Sequence, residues 1–191
     1  MTQTKKLTHI AQIKYIYRTR MQEDFASDEL KPLSVIVQAW EKGIYDCYVL
    51  TRQESFLGYA YFVRKDNNYL IDYLAISAEH RDEGLGTVFL KQLAEFFHKA
   101  NCIVVEVEDP DAAKDEEDRF QRERRLRFYL RNGYRLTGVK ARVFGVDYLI
   151  LEALIGTEHK SEEIAKIYAE LYHSILHGAT FKTRFMILGN E

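Results

Sequence analysis

The chain has 191 residues, 47% hydrophobic and 29% charged, with a formal net charge of −2 at pH 7. Those values suit one globular domain, or one domain with an appendage, and allow a sizeable core. They offer no global basic field for nucleic acid or an anionic membrane, and no run of about 18 apolar residues that would span a bilayer.

Lys5 and Lys6 lead into no long apolar stretch, so no signal peptide is expected and the location reads as cytoplasmic. Cys47 and Cys102 sit in apolar segments and read as buried small hydrophobes. No metal is expected. His173 and His177 share i, i+4 spacing, but they close a helix whose C-terminal dipole favours cations.

In chain order, Ile10 to Thr19 predicts a first strand, and Leu30 to Lys42 a helix with Leu33, Val37 and Trp40 on one face, stopped by Gly43. Tyr45 to Arg52 and Phe56 to Val63 predict two strands joined by a polar turn. The loop Lys65 to Asn68 then leads into an apolar strand, Tyr69 to Ile76. Leu85, Val88, Phe89, Leu93, Phe96 and Phe97 recur at helical spacing, predicting an amphipathic helix from Gly84 to Ala100. Cys102 to Glu108 reads as a strand, with Ile103, Val105 and Val107 opposite Val104, Glu106 and Glu108.

A helix from about Glu116 to Asn132 follows, stopped by Gly133, and then strands Tyr134 to Val139 and Val146 to Leu154. In the tail, Ser161 suits a helix N-cap, with Ile164, Ile167, Tyr168, Leu171, Ile175 and Leu176 as an apolar stripe. Phe181 to Leu188 reads as a last strand. This order describes an α/β or α+β domain over residues 1–154 with a helix-strand extension, 155–191, packed on it. A subunit contact, and hence a homodimer, is the alternative use of the tail's stripe.

The segment Arg81-Asp82-Glu83-Gly84-Leu85-Gly86 joins a strand to a helix. A glycine-bearing turn that opens a helix presents backbone N–H groups without intrahelical partners, which suits a phosphate or pyrophosphate. It matches neither the three-glycine dinucleotide fingerprint nor the P-loop. Downstream lies Phe128-Tyr129-Leu130-Arg131-Asn132-Gly133-Tyr134.

Together the two segments resemble the GNAT superfamily of acyl-CoA-dependent N-acetyltransferases. Arg81, Gly84 and Gly86 fill its Arg/Gln-x-x-Gly-x-Gly/Ala motif, and Tyr129 with Gly133-Tyr134 matches its Phe/Leu-Tyr-x-x-x-Gly-Phe/Tyr signature. The resemblance covers roughly Tyr45 to Leu154. It implies a mixed, mostly antiparallel central sheet flanked by helices. It implies acetyl-CoA as co-substrate, its pyrophosphate on Arg81, Asp82, Glu83, Gly84, Leu85, Gly86 and Thr87 and its pantetheine arm along Leu74, Ala75 and Ile76.

Two positions depart from the pattern. Asp82 and Glu83 are acidic beside the phosphate site, and Arg122 stands where relatives often carry an Asn that contacts pantetheine. The resemblance also makes Tyr129 the proton donor to the leaving thiolate, a role its protonated phenol allows at neutral pH. It puts Glu106 first as general base, at a place where some ribosomal-protein N-terminal acetyltransferases of the family carry a glutamate, with Glu108 and Asp72 next and a water chain as the alternative. The acceptor is expected to be a small-molecule amine or a peptide or protein amine. The eight acidic residues from Glu106 to Asp118 would attract a protonated amine, and equally suit a solvated helix start, with Asp115, Glu116, Glu117 and Asp118 in its first turn. The competing expectation is a CoA-binding sensor or interaction module of the same fold that no longer catalyses.

Overall fold

The computed structural model describes residues 1–27, 29–176 and 178–189. Its internal contacts form two compact units, residues 1–64 with 71–98 and residues 65–70 with 99–191.

In the first unit, β1 (Thr2–Lys6), β2 (Tyr45–Arg52), β3 (Ser55–Lys65) and the end of β4 (Asn68–Ile76) lie side by side in that order. β1 is antiparallel to β2 and β2 to β3. Gln53 and Glu54 both take positive φ, 49° and 67°, and this two-residue turn matches the twist of its flanking strands. Asp66 and Asn67 repeat the device between β3 and β4, with φ of 48° and 67°.

Ile10 to Thr19 is not a strand. It forms helix α1 (Ile10–Ile16) and runs on as a π-helical segment, Tyr17–Met21. The backbone N–H of His9 donates to Gln12 Oε1 at 3.3 Å, and Ile13, Ile16 and Met21 bury a face at helical spacing. The true first strand, Thr2–Lys6, has too little apolar content to signal itself. Helix α2 (Leu33–Glu41) buries Ile36 and Ala39 and leaves the expected Leu33, Val37 and Trp40 half-buried.

Strand alternation sorts the aromatic residues onto two faces. Tyr48 and Phe62 meet Phe97 beyond the end of helix α3 (Leu85–Phe96). On the other face Tyr59, Tyr61, Tyr45 and Tyr73 form a chain of edge-on rings. α3 is shorter than expected, and its buried set is Leu85, Phe89, Leu90 and Leu93. Val88 is half-buried and Phe96 is exposed, its ring edge-on to Tyr48.

In the second unit, β5 (Cys102–Glu108), β7 (Val146–Ala153), β6 (Tyr134–Val143) and β8 (Phe185–Leu188) lie in that order, every pair antiparallel. Helix α4 (Glu116–Arg131) is capped by Asp115, whose carboxylate accepts from Asp118 N–H at 2.8 Å. Helix α5 (Ser161–Ile175) buries Ile164, Tyr168, Leu171 and Tyr172.

Ser161 is not the N-cap of α5. Lys160 occupies that position, its N–H donating to Glu163 at 2.8 Å, while the Ser161 hydroxyl donates to the Thr137 carbonyl at 2.7 Å. Thr137 sits where the β6–β7 register shifts, next to Gly138 at φ +77°, so an irregularity in β6 seats the start of α5. The expected strand from Phe181 is helix α6 (Gly178–Arg184) before β8. Phe181 and Phe185 stack at 5.0 Å across that junction. His177 lies outside the described residues. The result is an α/β fold of mostly antiparallel strands flanked by helices, as expected.

Candidate active site

β4 ends at Leu74, Ala75 and Ile76, and a short 3₁₀ turn, Ala78–His80, carries the chain to the glycine segment. Asp82 and Gly84 take left-handed φ, +66° and +73°, and Gly84 caps α3. That backbone turns the first amides of α3, from Leu85 through Gly86 and Thr87, outward with no earlier helical carbonyl to bond. It is the arrangement a pyrophosphate needs. Arg81 is held in place, its guanidinium donating to Asp24 at 3.1 Å and to the Ile76 carbonyl at 3.3 Å.

Glu83 is drawn to one side, 3.0 Å from His80 Nδ1 and 3.4 Å from Arg52. The His80 contact, with Arg52 behind it, holds the Glu83 carboxyl below its usual pKa. Its carboxylate is thus engaged by the Arg52 guanidinium and the His80 ring.

The other candidates lie on the second unit, Asp72 excepted. Tyr129 is buried on α4 with its ring edge-on to Phe128 and Tyr134, and burial pushes its phenol pKa up against the opposing pull of Arg125. Glu106 is half-buried on β5 and accepts a hydrogen bond from the Tyr168 hydroxyl of α5. Glu108 is spoken for by Arg125 and by Arg122 at 3.5 Å. Asp72, in the first unit, is buried between Lys31 Nζ at 2.7 Å and the Tyr45 hydroxyl. A carboxylate already neutralised in this way makes a poor base.

Arg122 is a clasp. It reaches Asp118 at 2.9 Å, Glu108, and the Asp109 carbonyl at 2.9 Å, so it ties α4 to the end of β5. The acidic stretch is likewise largely paired: Asp109 with Lys140 at 2.7 Å, and Asp111 with Arg119 at 3.3 Å. Its field on an incoming amine is weaker than the run of acids suggests.

Among the described residues, one group has metal-ligand chemistry: Cys102, Glu152 and His159, with donor atoms within 4.8 Å of one another. Arg135 donates to Glu152 at 2.5 Å and supplies the balancing charge, and burial with Glu152 lifts the Cys102 thiol to about 12. This cluster is a buried salt-bridge network. Sequence reasoning missed two residues, Asp24 behind Arg81 and Tyr168 beside Glu106. Tyr168 had the weak signal of a hydroxyl within an otherwise apolar stripe.

Residues 43–136, from the start of β2 into β6, match the family model described as an acetyltransferase (GNAT) domain. These residues form an acetyltransferase domain of the GNAT superfamily. Solved GNAT structures share the chain's fold. An acetyltransferase of the family from Bacteroides thetaiotaomicron is 20% identical, aligning 90% of this chain with 96% of that one at a TM-score of 0.70. The ribosomal-protein-S18-alanine N-acetyltransferase of Escherichia coli is 14% identical, with 83% and 97% covered and a TM-score of 0.62. A GNAT acetyltransferase from Elizabethkingia anophelis, solved with acetyl-CoA bound, is 14% identical, with 80% and 97% covered and a TM-score of 0.56. A comparison with curated protein sequences finds no match.

Proposed function

We propose that this GNAT protein is an acetyl-CoA-dependent N-acetyltransferase that acetylates a primary amine by direct attack in a ternary complex. The observation that supports this most is the left-handed Gly84 opening α3 beneath Arg81, a backbone cradle for a pyrophosphate at the family's motif position. Leu74, Ala75 and Ile76 would flank the pantetheine arm. Acetyl-CoA, once bound, supplies an activated acetyl group as a thioester.

Glu106 would pair with the acceptor ammonium and take the proton that must leave before nitrogen attacks. Tyr129 would give its proton to the departing sulfur. Burial keeps that phenol protonated through the neutral range, as an acid requires. The acceptor is a small-molecule amine or a peptide or protein amine; the E. coli neighbour is named for a protein alanine. A cytoplasmic location fits the unpaired Cys47 and Cys102. Among the described residues no helix is long and apolar enough to cross a membrane.

Thiol release from acetyl-CoA, measured across a panel of amines and peptides, tests the reading. Amine-dependent release is expected. CoA binding without release to any acceptor would favour the non-catalytic sensor, a reading for which the clasped Arg122 in place of Asn is the one structural argument.

A further inference from the structure

Helix α5 lies wholly outside residues 43–136, yet it reaches a candidate catalytic group. Tyr168 is 0% exposed, and its hydroxyl donates to Oε1 of Glu106. The ring is locked on two sides, by Tyr172 at 5.1 Å and Phe185 at 5.3 Å. The Tyr172 side chain is hydrogen-bonded in turn to Tyr168, so a short chain of phenols ends on the carboxylate. The helix itself is seated by the bond from Ser161 to the Thr137 carbonyl.

We infer that Tyr168 is a positioning residue for Glu106, fixing the carboxylate through Oε1 in the orientation it needs to meet the acceptor nitrogen. The inference rests on Glu106 acting as the base. Its physical content is that an O–H donated to a carboxylate favours the ionised form and removes a rotational freedom that would otherwise be lost during reaction. The packing of Tyr168 would be met equally by phenylalanine, and the hydroxyl that distinguishes the two residues is the atom that touches Glu106. Other groups around this stretch of β5 are Tyr148 on β7, Tyr172 on α5, and Glu108, whose charge is held by Arg122 and Arg125 of α4.

Tyr168→Phe keeps the ring and removes the donor. Two readouts separate this inference from the reading beneath it. The first needs no substrate: the Glu106 side-chain carboxyl is titrated by carbon NMR on glutamate-labelled protein, its signal assigned with Glu106→Gln. In Tyr168→Phe the carboxyl should titrate about one pH unit higher. The second is the pH dependence of kcat/KM with the best amine from the panel, whose acid limb should move up by the same amount and vanish in Glu106→Gln.

An unmoved carboxyl titration overturns the inference, and so does a moved titration with an unmoved kinetic limb. An acid limb that persists in Glu106→Gln overturns the role of Glu106 and, with it, that of Tyr168. If Tyr168→Phe does not fold, Tyr172→Phe takes its place. Weakening the phenol chain should then shift the titration in the same direction by a smaller amount, and no shift overturns the inference.

Discussion

A Cβ atom on Gly58 would lie 2.5 Å from the carbonyl oxygen of Ala75 and 2.9 Å from the Ile76 side chain. β3 therefore approaches the end of β4 more closely than any side chain permits, at the residues expected to flank pantetheine. Gly58→Ala should destabilise the protein by about 1–3 kcal/mol, the range for overpacking a filled interior. It should also weaken CoA binding by displacing Ala75. Urea unfolding and calorimetry with CoA measure the two effects, and an unchanged CoA affinity would separate this strand from the cofactor site.

Gly86→Glu places a carboxylate where the first turn of α3 should meet phosphate. α3 tolerates glutamate, since straight side chains lose little freedom in a helix, so circular dichroism should be near wild type. Calorimetric binding of CoA should be lost. Equal affinity in both proteins would move the cofactor away from Arg81–Thr87.

Tyr129→Phe deletes one hydroxyl from a buried ring packed on Phe128 and Tyr134. CoA affinity should survive while kcat falls on the order of 10²-fold, the scale of general acid catalysis. Because burial raises the Tyr129 phenol above its ordinary value, the wild-type rate should show no loss from its ionisation up to about pH 10. A kcat within threefold of wild type in the variant would assign the proton to another donor.

Burial raises the phenol pKa values of Tyr45, Tyr59, Tyr61, Tyr129, Tyr134 and Tyr168 together. Unfolded tyrosines ionise near pH 10, so above that value the unfolded chain sheds protons that the folded one keeps. The stability these groups contribute is complete below about pH 10 and falls as pH rises beyond it. Urea midpoints should show a cooperative alkaline loss above pH 10. Tyr61 has a buried hydroxyl with no hydrogen-bond partner among the described residues, so Tyr61→Phe should hold or raise stability at pH 7 and make the alkaline fall shallower.

Deleting residues 157–191 removes Ile164, Tyr168 and Leu171, each 0% exposed. Apolar surface worth roughly 1.5–3 kcal/mol per large side chain would face water. The truncated protein should precipitate or associate on gel filtration. A soluble truncate of unchanged size would show that the extension is not integral to the fold.

The sequence by itself determined the elements whose signals are local. The bounds of β2 and β5 stand as read, and α4 ends where Gly133, at φ +82°, takes up the left-handed conformation. The Gly84 turn was legible for the same reason, since a left-handed residue opening an amphipathic helix leaves its mark within six positions. What failed locally was decided by distant partners. Thr2–Lys6 is a strand because β2 offers it a ladder, Ile10–Ile16 is a helix because Ile13, Ile16 and Met21 find a face to bury, and Lys160 caps α5 because Ser161 is taken by Thr137. The charges followed the same rule. A run of acids reads as a field in one dimension, but folding sets Arg122, Arg125 and Lys140 against Glu108 and Asp109 and cancels part of it. That Tyr168 meets Glu106 across 62 positions of chain is set by where the β6 irregularity seats α5, and no periodicity encodes such a contact.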